Sequence, residues 1–447
     1  MTASWRVAPA LAVVAITLAA TPGARAAAVS LVPSPQPGAT GFLLTYAAAP
    51  GEANRLTLEE APDGRSWTFR DRGATVQAGA SCAARLDGAV VCTATGGPVF
   101  ASVDLGDGDD VADVAAPHSG VGQLETGAGD DVLRARAGPV SAALGPGDDR
   151  ADVEAGSLSV EGGPGADEVD AARGASLQVT YFASDRGVHV TLDGRANDGA
   201  PGEHDDVSPL TRTLNGSAHA DVLDARAART KVAVYGEAGD DRQFASPSGG
   251  FLAGGAGRDV LHGGAGPDGL LGELGDDVLL GGRGDDELTG DNGHDLLVGG
   301  PGRDRLAITY DGRDTVRARD GGRDRVTCEW LPHSLQVDRV DRLDRCAFLV
   351  GVSAQPPVTP HRRLRLMLRC PWQAPGGCRG SLVVFDSRPR PLGRTRYVLA
   401  AGAVRSLAVE LGHEPRDLVV AVVTVARRVP PPASRRTAVT TIDLAPP

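Results

Sequence analysis

The chain has 447 residues, enough for about three domains, with 60 Gly, 31 Pro and only 4% aromatic residues among 41% hydrophobic ones. It lacks a running G-X-Y period and is apolar enough to fold, which excludes collagen and wholesale disorder, and it has too few rings for a large aromatic core. The net charge of −12 argues against nucleic acid as a partner, and it is segregated: residues 101–310 hold 38 Asp and Glu against 15 Arg and Lys, while residues 351–447 hold 5 against 15.

Residues 1–26 read as an export signal, with Arg6 ahead of the apolar stretch Ala8–Ala20 and a small-x-small cleavage site at Ala24-Arg25-Ala26. The protein is therefore expected to be secreted and extracellular, and no later stretch reaches the roughly 18 apolar residues of a membrane span. Residues 27–100 alternate apolar and polar residues in short runs between Pro, Gly and Asp, the pattern of a small β domain. Within it Cys82 and Cys92 flank Leu86-Asp87-Gly88, a three-residue hairpin loop whose Gly can take positive φ; that register pairs Arg85 with Ala89 and sets the cysteines opposite each other. Six cysteines in an exported chain favour disulfides, and local pairing predicts Cys82–Cys92, Cys328–Cys346 and Cys370–Cys378. A zinc site would need two C-x-x-C-like pairs, which the sequence lacks.

Residues 101–325 read as a solenoid. In its first half the turns LGDGDD, TGAGDD, LGPGDD and GGPGAD close at Asp110, Asp131, Asp149 and Asp167, spaced by 21, 18 and 18 residues. Residues 178–207 interrupt this period with Tyr181, a short strand Val188–Leu192 and the run Asp193-Gly194-Arg195-Ala196-Asn197-Asp198-Gly199. Asp221 and Asp241 then lead into six gapless nonapeptides from Gly254 to Ala307: GGAGRDVLH, GGAGPDGLL, GELGDDVLL, GGRGDDELT, GDNGHDLLV and GGPGRDRLA. Position one is always Gly (Gly254, Gly263, Gly272, Gly281, Gly290, Gly299), and so is position four (Gly257, Gly266, Gly275, Gly284, Gly293, Gly302). Position six is always Asp (Asp259, Asp268, Asp277, Asp286, Asp295, Asp304) and position eight always Leu. Both glycines are expected to enter left-handed backbone and bring carbonyls close to a point where the Asp adds a carboxylate, while the following residues make a short strand with Leu pointing inward. Glu273 and Asp291 replace Gly at position two and would either distort the turn or add a ligand.

These nonapeptides resemble the RTX-type repeat, G-G-x-G-x-D-x-U-x, of secreted bacterial calcium-binding proteins, haemolysins and the C-terminal domains of some alkaline proteases. The resemblance implies a right-handed parallel β-roll in which two nonapeptides form an 18-residue coil, with calcium between the turns of adjacent coils. On this sequence it implies that Asp259, Asp277 and Asp295 line one edge and Asp268, Asp286 and Asp304 the other, with about four Ca2+ sites. Asp110, Asp131, Asp149, Asp167, Asp221 and Asp241 are the weaker metal candidates. The plainer alternative is an Asp-rich solenoid whose carboxylates only cap turns, in which case they would repel along two edges.

Residues 326–355 are expected to close the solenoid, with Cys328 and Cys346 one coil apart, and residues 356–447 to form a β-sandwich through alternating runs such as Leu364, Leu366 and Leu368. The basic surface of that tail is either simply solvated or binds an anionic polymer or the acidic roll itself. The fold class is thus all-β: a right-handed parallel β-roll or β-solenoid flanked by a small N-terminal β domain and a C-terminal β-sandwich. No enzymatic motif is complete: His413-Glu414 begins like H-E-x-x-H, but Asp417 stands where the second His is needed. His262 and His294 occupy variable repeat positions and read as solvated side chains. The sequence therefore points to a secreted, non-catalytic calcium-binding protein for surface or matrix contact. The alternatives are an adhesin using calcium only to fold, or an extracellular hydrolase whose site no motif reveals.

Overall fold

A computed structural model describes residues 26–34, 41–309, 314–318 and 320–328, and beyond these a set of strands reaching 443–444. The expected export signal, apart from its last residue, lies outside the described residues, as do Cys346 and Cys370 and with them the pairings Cys328–Cys346 and Cys370–Cys378. His413, Glu414 and Asp417 lie outside them too. Every described element is a strand, and the chain divides into two units, residues 1–158 and 159–447.

In the first unit Ala27–Pro33 pairs antiparallel with Phe42–Ala47, and Ser66–Asp71 lies antiparallel between Arg55–Glu60 and Val90–Thr93. Alternation puts Leu31, Leu44, Tyr46, Leu56, Leu58, Trp67 and Phe69 on inner faces, each at most 1% exposed. Cys82 pairs directly with Cys92 and is bonded to it, Gly88 takes φ 83°, and the Arg85 N–H donates to the Ala89 carbonyl, as the loop length requires. The bond spans a sequence separation of 10, so the double variant Cys82→Ser, Cys92→Ser is expected to lose about 2–3 kcal/mol of stability. Thermal melts with and without reductant check this; an unchanged melting profile would show the hairpin holding itself.

The same unit also holds parallel pairs. Phe42–Ala47 stacks on Val99–Asp104, which stacks on Val121–Glu125 and then on the second half of Val132–Ala143. Arg55–Glu60 stacks likewise on Val111–Ala115 and the first half of Val132–Ala143. Coils therefore begin stacking at Phe42, within the segment that alternation alone marks as a small β domain.

The second unit is wound on two parallel ladders. One runs Ser176–Thr180, Thr213–Asn215, Ala233–Tyr235, Phe251–Ala256, Gly269–Leu274, Glu287–Asn292, Arg305–Ile308, Arg325–Cys328 and Arg342–Asp344. The other runs His189–Thr191, Val222–Asp224, Arg242–Phe244, Val260–His262, Val278–Leu280, Leu296–Val298, Thr315–Ala318 and Ser334–Val337. Across the strict repeats the register is one coil of 18 residues, pairing Leu252, Leu270, Leu288 and Leu306 on one ladder and Leu261, Leu279 and Leu297 on the other. All seven are at most 2% exposed and form a narrow core that needs no aromatic residue. Further along, Arg363–Arg369 lies antiparallel between Gly351–Ala354 and Val404–Glu410, and Cys378–Phe385 between Gly393–Leu399 and Val419–Val425.

Candidate metal centre

The position-six aspartates stack in rows, each tied to the next coil by one hydrogen bond. In the long row of the second unit, Asp221, Asp241, Asp259, Asp277 and Asp295 each donate their backbone N–H to Oδ1 of the next Asp, ending at Asp314, over 2.8–3.1 Å. In the short row Asp268, Asp286 and Asp304 donate in the same way, ending at Asp324, at 2.9 Å. The first unit holds a third row, Asn54, Asp110, Asp131 and Asp149, with bonds of 2.6–2.8 Å. Asp167 donates to Asp205 Oδ1 at 3.0 Å, its partner moved 38 residues along the chain by the interruption. None of these side chains is more than 4% exposed. The bonds answer a general need: a turn residue leaves its N–H without an in-coil partner, and a buried N–H must be paired.

The second carboxylate oxygen is different. Oδ2 of Asp110, Asp131, Asp241, Asp259, Asp277, Asp286, Asp295, Asp304 and Asp314 is buried without a hydrogen-bond donor. A buried carboxylate oxygen facing neither donor nor cation is strongly unfavourable. Burial pushes Asp241, Asp277 and Asp304 up to about 7 and Asp259, Asp286 and Asp295 up to about 6; neighbouring carboxylates add to the rise, and the accepted backbone N–H opposes it. Two row members are already satisfied: Asp221 Oδ2 accepts the Ser217 N–H and Asp268 Oδ2 the Gly264 N–H, both at 2.7 Å. Asp268, indistinguishable by sequence from its five counterparts, thus has less to offer a cation.

The glycines divide the work differently from expectation. Left-handed φ occurs at position four in Gly257, Gly275, Gly284 and Gly293 and at position two in Gly255, Gly282 and Gly300, but at no position-one glycine. Position one is Gly for want of space instead. A Cβ on Gly272 would lie 2.4 Å from Asp277 Oδ2 and 2.6 Å from the Gly290 carbonyl, and one on Gly281 would lie 2.6 Å from Asp286 Oδ2 and 2.5 Å from the Gly299 carbonyl. A carboxylate oxygen and a carbonyl oxygen of the next coil therefore converge on the space a side chain would fill. Gly272→Ala is expected to cost about 1–3 kcal/mol by overpacking, read as a lower melting temperature; an unshifted melt would show that the coils yield. Glu273 (φ 75°) and Asp291 (φ 66°) hold the conformation Gly255 has at φ 105°, so position two keeps its turn undistorted, at a backbone cost of about 1 kcal/mol each.

A second, exposed ladder runs the opposite way. Asp240, Asp276 and Asp285 at position five accept through Oδ1 the backbone N–H of Arg258, His294 and Arg303 one coil later, at 2.8–3.0 Å, and Asp109 and Asp130 do the same for Asp130 and Asp148. The doubled Asp of the GDD turns thus clamps a coil to both its neighbours, a role that sequence reasoning missed although the pair recurs with the coil period. Sequence reasoning also missed Asp314 and Asp324 as row members, because they follow Asp295 and Asp304 by 19 and 20 residues, not 18. Asn54 carries neither the Asp nor the repeat around it. His262 stacks on Phe244 at 4.8 Å, and His294 lies exposed 3.6 Å from Asp276.

The two atoms nearest the side-chain space at Gly272 and at Gly281 are a carboxylate and a carbonyl oxygen, which is the donor set of a hard divalent cation such as Ca2+ and unlike the nitrogen and sulfur set that zinc takes. The unpartnered Oδ2 atoms and the glycine-cleared carbonyls fit calcium, which would be held by the row aspartates with their position-one neighbours and would neutralise the stacked charge. Buried aspartate rows between glycine turns define a parallel β-solenoid of the calcium-binding kind. Residues 125–157, 250–279 and 271–306 match the RTX calcium-binding nonapeptide repeat (4 copies), and this match supports an RTX-type calcium-binding protein. No curated protein matches it.

Proposed function

We propose that the protein is secreted, non-catalytic, and folds its solenoid to completion only when calcium enters the aspartate rows outside the cell. The observation that carries this reading is the set of buried Oδ2 atoms without a donor, from Asp241 to Asp304. The repeats are rich in Gly, whose ordering entropy is high, and each inward Leu returns only about 2 kcal/mol against about 1–2 kcal/mol per ordered residue. A cation between the coils removes the repulsion and supplies the difference. Affinity on the order of 10⁻⁴–10⁻³ M, usual for extracellular modules, would keep the coils loose before export and ordered after it. The N-terminal segment with Arg6 and the small-x-small site supports export, and the basic balance of residues 351–447 supports contact with anionic surface or matrix polymers.

Calorimetric titration of the chain from Ala27 onward, followed in parallel by circular dichroism, tests the reading. At least four calcium ions are expected to bind, with the melting temperature rising by roughly 10 °C or more between chelator and saturating calcium. Absence of binding heat, or an equal response to magnesium, would overturn it. Turnover of peptide, ester or glycosidic substrates that one point substitution abolishes would overturn the non-catalytic part alone.

A further inference from the structure

The short row ends differently from the way it begins. Asp304, Asp320 and Asp324 each bring a carboxylate oxygen within 4.8 Å of the others, and among the described residues they form the one such group of three. Asp304 and Asp324 are row members, each 1% exposed, while Asp320 is exposed and comes from outside the row. It stands four residues before Asp324, the place that Glu273 and Asp291 hold before Asp277 and Asp295. Those two take left-handed φ themselves; here Gly321, one position later, takes φ 91°. Asp320 Oδ1 accepts the Gly322 N–H at 2.6 Å, which turns the carboxylate into its own turn. Asp291 by contrast spends its Oδ1 on the Thr309 hydroxyl at 2.7 Å.

A separate observation points to a cation at this place: Asp304 Oδ2 is buried with no donor. Elsewhere along the rows, among the described residues, no third carboxylate comes this close. Calcium affinity in oxygen sites rises with the number of charged ligands.

We propose that Asp304, Asp320 and Asp324 form the tightest calcium site of the solenoid, filled before the sites of two carboxylates and emptied after them. This rests on the calcium reading above and adds an order of loading to it: the coils at the end of the short row would be pinned first, and the coils before them would gain their ions against an ordered edge.

The test is equilibrium binding of calcium alone to the chain from Ala27 onward, in wild type, Asp320→Asn and Asp291→Asn. Asparagine keeps an oxygen for the Gly322 N–H, and circular dichroism in saturating calcium verifies that each variant folds. Wild type is expected to hold one ion at least ~10-fold tighter than the rest. Asp320→Asn is expected to lose that tight class while total uptake at saturation stays within one ion of wild type, and Asp291→Asn to keep it. As a second readout, the melting temperature at a calcium concentration that fills only the tight class should fall to the chelator value in Asp320→Asn. Coincident isotherms for wild type and Asp320→Asn, or equal loss in Asp291→Asn, would overturn the proposal and leave calcium binding intact. A wild-type protein that takes up no calcium would overturn both.

Discussion

Asp277→Asn and Asp286→Asn are each expected to raise the calcium concentration needed for half-folding by about tenfold and to reduce uptake by as many as two ions, whereas Asp268→Asn changes neither by more than about twofold. Asn keeps the oxygen that accepts the neighbouring coil's N–H, from Asp259 onto residue 277 and from Asp268 onto residue 286, so the coil clamp survives. What it removes is the charge and the unpartnered Oδ2, replaced by an amide nitrogen that cannot bind a cation. Asp268 loses less because its Oδ2 already takes the Gly264 N–H. In chelator the ranking should invert: Asp277→Asn and Asp286→Asn should melt above wild type, since each deletes a buried charge that nothing offsets. Calorimetry and melts in both conditions decide the matter. Equal effects of all three substitutions on calcium uptake would contradict the division of roles between the two carboxylate oxygens.

The metal-free solenoid should also have an inverted pH dependence. Burial, with neighbouring carboxylates, raises Asp241, Asp277 and Asp304 to about 7 and Asp259, Asp286 and Asp295 to about 6, from the ordinary carboxylate value of 3.8. Between those limits the folded chain holds more protons than the unfolded one, so unfolding free energy falls as pH rises. The stability from these protonated groups is complete below the unfolded pKa and is lost as pH climbs through 6 to 7. In chelator, melts at pH 5 should therefore lie several degrees above melts at pH 8. With calcium the slope reverses, because the ion binds the ionised carboxylates and must displace their protons, so affinity should decline as pH drops below about 7. A chelator series in which stability rises with pH, as it does for ordinary paired carboxylates, would show that the rows are not desolvated as the structure has them.

The sequence by itself determined the period. Gly at positions one and four, Asp at six and Leu at eight over six nonapeptides are enough to set an 18-residue coil with inward Leu261 to Leu306, and the loop Leu86-Asp87-Gly88 is enough to place Cys82 opposite Cys92. Tertiary structure alone decided what each oxygen does. It placed Oδ1 of the row aspartates on the N–H of the coil before, left Oδ2 of Asp241, Asp259, Asp277, Asp286, Asp295 and Asp304 buried without a donor, and satisfied that of Asp268 from Gly264. It also drew Asn54 into a row, started the stack at Phe42, and brought Asp320 beside Asp304 and Asp324. The physical reason is that spacing along a chain sets which residues lie one coil apart, whereas the partner of a given oxygen depends on backbone from neighbouring coils and on which residue of a turn takes the left-handed conformation. Gly321 takes it in the turn before Asp324, where Asp320 adds a third carboxylate beside Asp304 and Asp324.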